Sequence, residues 1–167
     1  MHKVFLGLGG NIGDKHNNFM RAHELISKRL GKIISKSSMY ETPPWGFQSK
    51  HLFWNQVVYI ETILEPLELL WRIKEIEELF GLKSTDSRYT NREMDLDILY
   101  FDDDFFEDKD LTIPHPRIHE RKFVLVPLAE IAPDFKHPLL RMTNLTLLDN
   151  CKDESIIRKL EISKPLD

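Results

Sequence analysis

Two arginines and two aspartates stand close together in the stretch R-Y-T-N-R-E-M-D-L-D-I-L, which begins at Arg88. Asp95 and Asp97 are two residues apart and lead into an apolar run, so a strand would place both carboxylates on one face. Mg2+ is commonly bound by one or two carboxylates together with substrate phosphates. Arg88 and Arg92 would supply positive charge for those phosphates. The pattern predicts metal-assisted phosphoryl-type transfer. The same spacing also fits solvated acids at a strand end with an arginine in a structural ion pair.

Length and composition predict one globular domain over residues 1–167. Hydrophobic residues make up 41% of the 167 residues and charged residues 30%, which argues against extended disorder. The net charge of −4 gives no basic nucleic-acid surface, so a local positive region suits a small phosphorylated ligand better than a polymer.

Cys151 is the only cysteine, so no intrachain disulfide can form. The apolar run at the N-terminus is too short for a signal peptide, and no apolar stretch is long enough to cross a membrane. We therefore expect a cytoplasmic protein.

Hydrophobic periodicity predicts an alternation of strands and helices. Gly31 and Gly81 are suitable helix stops, and Pro66 can occupy the first turn of the second helix. A turn at residues 102–104 should lead to a hairpin partner near Phe105–Phe106. We predict strands at Lys3–Leu8, Ile33–Thr42, Phe53–Thr62, Met94–Phe101 and Leu111–Ile113, and helices over Phe19–Leu30 and Pro66–Phe80. Shorter helical segments are expected at Arg117–Lys122, Leu128–Ile131 and Leu145–Cys151.

The order strand, helix, strand, strand, helix, strand predicts the fold class. It is the order of a ferredoxin-like α+β sandwich, a mainly antiparallel sheet with helices packed on one face.

A glycine-rich turn, G-L-G-G-N-I-G, follows the first predicted strand from Gly7 onward. Ile12 stands at the third glycine position of a dinucleotide-binding fingerprint, and no P-loop is present. We predict a tight turn at which another element approaches closely. Substrate contact through its backbone amides is the alternative.

Aromatic side chains surround a proline-rich loop, Y-E-T-P-P-W-G, and the start of the next strand, F-W-N. Flat heterocycles need such a mixture, because rings stack on aromatic side chains while an amide such as Asn55 binds the polar edge. The alternative is that Trp45 and Phe53 are core residues, and composition alone favours it.

A stiff turn, I-P-H-P-R, presents His115, with Arg117 and Arg121 close behind it. Histidine beside arginine can bind phosphate or ribose, although a single histidine is more often a hydrogen-bonded structural residue. Glu77 and Lys74 lie on the polar flank of the second predicted helix, and the pattern favours a solvated face for both.

Five motifs occur together in one order and carry a family resemblance. They are G-L-G-G-N, Y-E-T-P-P-W-G, F-W-N-Q-V, R-x-x-D-L-D-I-L, and I-P-H-P-R-I-H-E-R-K-F-V-L-V-P-L-A-E-I-A-P. In these the chain resembles the 6-hydroxymethyl-7,8-dihydropterin pyrophosphokinases, folate-pathway enzymes that move pyrophosphate from ATP to a pterin alcohol and release AMP. The resemblance spans nearly the whole chain and implies the ferredoxin-like fold, ATP as co-substrate, no nucleic-acid or membrane partner, and a monomer.

The resemblance also implies residue roles. Asp95 and Asp97 would bind two Mg2+ ions that bridge the ATP phosphates, while Arg92 and Arg88 neutralise charge during transfer. The loop from Leu82 to Arg92 would close over ATP. A pterin pocket would be formed by Thr42, Pro43, Trp45, Phe53, Asn55 and Phe123. ATP would be surrounded by Lys74, Glu77, Arg88, Arg92, Ile98, Leu111, Thr112, His115, Pro116 and Arg121.

Several positions depart from the family pattern. Gly10 stands where serine is common, Thr90–Asn91 replaces Gly-Pro, and Asp110 stands where a basic residue is common. Tyr89 replaces a larger aromatic, and Lys83 is a candidate substitute for loop arginines.

Two other functions are considered: a domain that only senses a nucleotide, and a sheet that binds RNA. The aromatic pattern of RNA-binding sheets of this fold is missing.

Overall fold

The computed structural model describes residues 1–82 and 90–162. Arg88, Lys83, Tyr89 and most of the loop expected to close over ATP lie outside the described residues, so the predictions for them are not tested here. Within the described ranges, no helix has the length and apolar character needed to cross a membrane.

An antiparallel sheet forms the centre of the molecule. Strand β1 lies between β5 and β4, and β4 pairs further along with both β2 and β3. This arrangement confirms the ferredoxin-like prediction. The strands are β1 (His2–Gly10), β2 (Lys32–Lys36), β3 (Tyr40–Thr42), β4 (Phe53–Thr62), β5 (Asp95–Phe101), β6 (Phe106–Glu107), β7 (Thr112–Ile113) and β8 (Arg158–Lys159).

Two long helices cover one face of the sheet. Helix α1 (Lys15–Arg29) begins after Asp14, whose side chain accepts the Asn17 N–H, and α2 (Pro66–Leu79) begins with its proline, as predicted. Their apolar stripes pack on alternate residues of the central strands. The shared core contains Val4, Leu6, Leu8, Phe19, Ile26, Ile60, Leu69, Ile73, Ile76, Leu96 and Ile98.

The opposite face of the sheet is also covered, so the prediction of helices on one face only is wrong. Helices α3 (Lys122–Ile131) and α4 (Asn144–Asp149) pack there. The intervening residues of the strands, such as Phe5, Val57 and Leu99, are apolar and form a second core with Leu125 and Leu128. A strand that is apolar on both sides needs cover on both sides.

Several local predictions are corrected by the structure. Helix α3 joins the segment at Leu128–Ile131 to the residues before it and continues through Pro127, although proline lacks the N–H that a helix interior uses. A short 3₁₀ turn (Ile118–Glu120) precedes it.

The predicted strand Ile33–Thr42 is divided into β2 and β3, because the Ser37 hydroxyl accepts the Val57 N–H in place of a regular ladder bond. Strand β6 pairs with β7, and β8 is an unpredicted strand paired with β3.

Candidate active site

The two aspartates begin β5. Its side chains alternate as predicted: Leu96 and Ile98 are buried in the first core, whereas Asp95 and Asp97 are half-buried. In the sheet register Asp95 lies opposite Gly9 of β1. The two carboxylates therefore share one face of an edge strand, opposite Gly7 and Gly9 of β1, which carry no side chain.

Gly9 is required by a buried amide on the next strand. It pairs with Asn55 of β4, and a Cβ atom at Gly9 would lie 2.9 Å from Asn55 Oδ1. The Asn55 side chain donates from Nδ2 to Thr42 Oγ1 at 2.6 Å. Glycine thus lets the amide lie over β1, and the hydroxyl of Thr42 holds the amide in place.

Arg92 is held beside the aspartates by the glycine-rich turn. Its backbone N–H donates to Asn11 Oδ1 at 2.8 Å, and its carbonyl accepts the Asn11 N–H at 2.9 Å. A Cβ atom at Gly10 would lie 2.2 Å from the Glu93 carbonyl oxygen, which confirms the predicted close approach of another element. The guanidinium is buried, with Nη1 3.3 Å from Asp95 Oδ2.

Two cavities meet at Arg92, Asp95 and Asp97, which line both of them. The first, here called the apolar cavity, has a volume of about 720 Å³ and opens to solvent. Its other lining residues include Thr42, Pro43, Trp45, Phe47, Phe53, Asn55, Arg121 and Phe123. The second, the polar cavity, has about 1450 Å³. Its other lining residues include Lys74, Glu77, Leu82, Ile98, Lys109, Asp110, Leu111, Thr112, His115 and Pro116.

Aromatic side chains form the walls of the apolar cavity. Trp45 and Phe53 are half-buried and belong to neither core, so the interpretation of these two residues as core residues is wrong. Phe47, which sequence reasoning missed, packs edge-on against Phe53 with ring centroids 6.1 Å apart. All six residues that the resemblance assigns to a pterin pocket line this one cavity.

Arg121 lies on the apolar side of the site. Its guanidinium carbon is 4.7 Å from the ring centroid of Trp45 and 5.7 Å from that of Phe123. The resemblance places Arg121 around ATP, but it lines the apolar cavity instead. Arg121 directly precedes α3, and Phe123 in the first turn of that helix lines the same cavity.

Helix α2 and the turn after β7 form the walls of the polar cavity. His115 is buried, and its Nδ1 accepts the Arg117 N–H at 3.1 Å, so a neutral His115 carries its proton on Nε2. Lys74 is exposed, as its position on the helix flank predicts, and also lines the cavity. Within the described part of the chain, every residue that the resemblance assigns to ATP lines this cavity except Arg121.

Glu77 is half-buried beside the aspartates and accepts a backbone hydrogen bond, so the prediction of a solvated face is wrong for this residue. Its Oε2 accepts the Leu96 N–H at 2.9 Å. Burial and the nearby Asp95 carboxylate hold the pKa of Glu77 well above its ordinary value of 4.5. The available sequence signal was its position next to Ile76 and four residues after Ile73, at the border of the apolar stripe.

The family model for 7,8-dihydro-6-hydroxymethylpterin-pyrophosphokinase (HPPK) matches residues 5–133. The chain belongs to this family. A 2-amino-4-hydroxy-6-hydroxymethyldihydropteridine pyrophosphokinase of Porphyromonas gingivalis is 38% identical over 145 residues, covering 85% of this chain and 98% of the relative. The protein of the same name from Aquifex aeolicus is 39% identical, covering 84% of this chain and 87% of the relative.

Solved structures share the fold. The crystal structure of Plasmodium falciparum HPPK-DHPS with pteroate superposes with a TM-score of 0.74 at 20% identity. That match covers 89% of this chain and 44% of the solved one, so this HPPK spans less than half of that larger chain. A Dictyostelium discoideum folic acid synthesis protein, FOL1, is 40% identical over 84% of this chain but only 21% of its own length.

The acidic cluster of this HPPK suits a divalent cation. Burial, and after it the neighbouring charges of Asp95 and Asp97, raise the pKa of Glu77, and a bound cation would balance the negative charge of the three groups. Among residues 1–82 and 90–162, however, no group of three or more histidine, cysteine or acidic side chains is arranged to hold a metal alone. Mg2+ commonly needs only one or two carboxylates, with water and phosphate oxygens as its other ligands. The residues present therefore fit a magnesium site that a phosphate ligand completes.

Proposed function

We propose that this HPPK binds its dihydropterin in the apolar cavity and ATP in the polar cavity, and that transfer occurs where the two cavities meet. The pterin hydroxymethyl oxygen attacks the β-phosphorus of ATP, the bond from that phosphorus to the α-phosphate oxygen breaks, and AMP leaves. Phosphoryl-type transfer depends mainly on alignment and charge stabilisation, so no covalent enzyme intermediate is needed. The observation that supports this proposal is that Arg92, Asp95 and Asp97 line both cavities.

Thr42, Pro43, Trp45, Phe53, Asn55 and Phe123 are the proposed pterin-binding residues. The aromatic rings bury the flat faces of the pterin, and Asn55 hydrogen-bonds its polar edge. Asn55 is suited to this role because its bond to Thr42 fixes the orientation of the amide before the ligand arrives.

Lys74, Glu77, Ile98, Leu111, Thr112, His115 and Pro116 are the proposed ATP-binding residues, together with Arg88 and Arg92. Arg92 acts on the charge that develops during transfer, since its buried guanidinium lies beside the point where the cavities meet.

Asp95 and Asp97 are the proposed magnesium ligands, for two ions as the resemblance implies. Held by these carboxylates, Mg2+ would supply positive charge that offsets the phosphate charge during transfer. The monomeric state and the cytoplasmic location expected from the sequence stay predictions.

Product analysis tests this proposal. Incubation with ATP, Mg2+ and 6-hydroxymethyl-7,8-dihydropterin should give AMP and pterin pyrophosphate in equal amounts. A matched incubation without pterin should give neither. Saturating nucleotide binding without AMP would instead support a nucleotide sensor.

Residue assignments are tested by binding experiments on variants. Phe123→Ala should weaken pterin binding and leave ATP binding unchanged, whereas Lys74→Ala should do the reverse. Loss of both ligands in either variant would contradict the assignment of the two cavities.

A further inference from the structure

The chain that follows α4 returns to the apolar cavity and contacts two of its walls from outside. We call residues 151–162 the C-terminal strap. Asp153 contacts the beginning of α3, the helix that carries Phe123, and β8 pairs with β3, the strand that carries Thr42. The strap lies beyond residue 133, where the match to the family model ends.

Asp153 supplies a cap that α3 lacks in its own sequence. The N-cap position is occupied by Arg121, whose side chain has no hydrogen-bond acceptor and makes no cap bond. Asp153 Oδ2 accepts the Lys122 N–H at 3.1 Å, 31 residues away along the chain. Phe123 is the next residue, so this bond holds the turn of the helix from which the Phe123 ring enters the cavity.

The Asp153 carboxylate is itself well oriented. Burial opposes its negative charge, but hydrogen bonds from the Ser155 hydroxyl, the Ser155 N–H and the Lys122 N–H lower the pKa of Asp153 below its ordinary value of 3.8. The carboxylate is therefore a fixed, ionised acceptor at the positive end of the helix.

The strap is attached to the other wall by strand pairing. Arg158 lies opposite Glu41 in the register and forms an ion pair with it. The Leu160 N–H donates to the Met39 carbonyl at 2.9 Å, and the side chains of Leu160 and Ile162 pack against the first core. These contacts cover the outer edge of β3 as far as Glu41, the residue before Thr42.

The far end of α3 is joined directly to the beginning of β3. Glu130 accepts hydrogen bonds from the Ser38 N–H at 2.9 Å and from the Tyr40 hydroxyl at 3.0 Å. Burial and the Glu130 carboxylate raise the pKa of Tyr40 to about 12, so the phenol keeps its proton and donates at neutral pH. Helix α3 is thus held to the β3 side at its end by Glu130 and at its start through the strap.

We propose that the C-terminal strap sets the separation between Phe123 and Thr42, and that Asp153 is a positioning residue for pterin binding. Asp153 acts through the Lys122 N–H and does not touch the substrate. This inference rests on the proposed function, because it assumes that the pterin occupies the apolar cavity.

Steady-state kinetics of Asp153→Ala test the proposal. We expect the KM for dihydropterin to rise about fivefold to twentyfold, which lies within the range of about twofold to thirtyfold that loss of a helix cap gives. The KM for ATP and kcat should stay within about twofold of wild type, since no strap residue is among the described residues that line the polar cavity. Asp153→Asn should restore most of the affinity, because its amide oxygen can still accept the Lys122 N–H. Glu154→Ala, a change at the exposed neighbouring acid, is the matched control and should behave as wild type.

A second variant addresses the other attachment of the strap. Arg158→Ala should raise the KM for dihydropterin in the same direction but by less, because the backbone pairing of β8 remains. Because the Arg158 side chain is exposed, we expect this variant to fold, and it tests the inference even if Asp153→Ala does not fold.

Two outcomes would overturn the inference: unchanged pterin affinity in Asp153→Ala, or an equal loss of pterin and ATP affinity, which would indicate a general structural role. Phe123→Ala separates these from failure of the proposed function. If Phe123→Ala also leaves pterin binding unchanged, the cavity assignment fails. If Phe123→Ala weakens binding and the strap variants do not, only the strap inference fails.

Discussion

The apolar and polar cavities share three residues but are constructed differently. In the apolar cavity the polar groups are already held by protein, as Asn55 is by Thr42 and Arg121 is over Trp45. In the polar cavity three carboxyl groups lie together, and the pKa of Glu77 is raised by burial and by Asp95. A neutral ring needs a preformed cavity. In the polar cavity, by contrast, the cation that accompanies a triphosphate can balance the negative charge of the carboxyl groups. Variants of each region should therefore fail in different ways.

Asp97→Ala should have the largest effect. Loss of a carboxylate where the cavities meet should lower kcat by at least about 1000-fold, since a metal contributes several kcal/mol to charge stabilisation in the transition state. The folded structure should be retained, because Asp97 is half-buried and outside both cores. The measurements are AMP release and thermal unfolding. Near-normal turnover would contradict the metal assignment.

Arg92→Ala should be next in size. We expect kcat to fall about 100-fold to 1000-fold, with a smaller change in the KM for ATP, if the guanidinium acts mainly in the transition state. Arg92→Lys retains the charge and is the matched comparison, although it loses the hydrogen bond from Nε to the Thr90 carbonyl. Equal losses in turnover and in directly measured ATP affinity would indicate ground-state binding.

Asn55→Ala should affect only the apolar cavity. Removal of a preoriented amide should raise the KM for dihydropterin about tenfold to 100-fold, because the polar edge of the ring would be left without a partner. Direct nucleotide binding should not change. If ATP affinity fell as well, the two cavities would not be independent in the way that their construction suggests.

His2→Gln should have the smallest effect and serves as a control far from both cavities. His2 lies between Glu65 and Asp102, with nitrogen–oxygen distances of 2.9 and 2.7 Å. The hydrogen bonds that His2 donates, first to Glu65 and then to Asp102, raise the pKa of His2 above 6.5. A raised pKa in the folded state means that the stabilisation is complete below pH 6.5 and is lost as pH rises through the folded pKa. Thermal unfolding between pH 5 and 9 should show a smaller decline for His2→Gln than for wild type, with both KM values unchanged. An equal decline would show that another group is responsible.

Much of the fold could be predicted because the signals are local. Strand β4 has the predicted bounds, and α2 begins at the predicted proline, since apolar periodicity and a helix-compatible proline act within a few residues. The prediction failed where tertiary packing overrode a local rule. Pro127 lies inside α3 because the second face of the sheet must be covered, and β2 and β3 are separated by a side-chain hydrogen bond to a distant strand.

Within the site, the sequence by itself determined that Asp95 and Asp97 lie side by side, because alternation along a strand is a property of the backbone. Only the tertiary structure decided that Arg121 faces the aromatic rings, that Glu77 is hydrogen-bonded to β5, and that Asp153 caps a helix 31 residues earlier in the chain. These contacts join segments whose local sequence patterns do not predict that they touch each other. They exist because the complete sheet and its two helical layers bring the segments together.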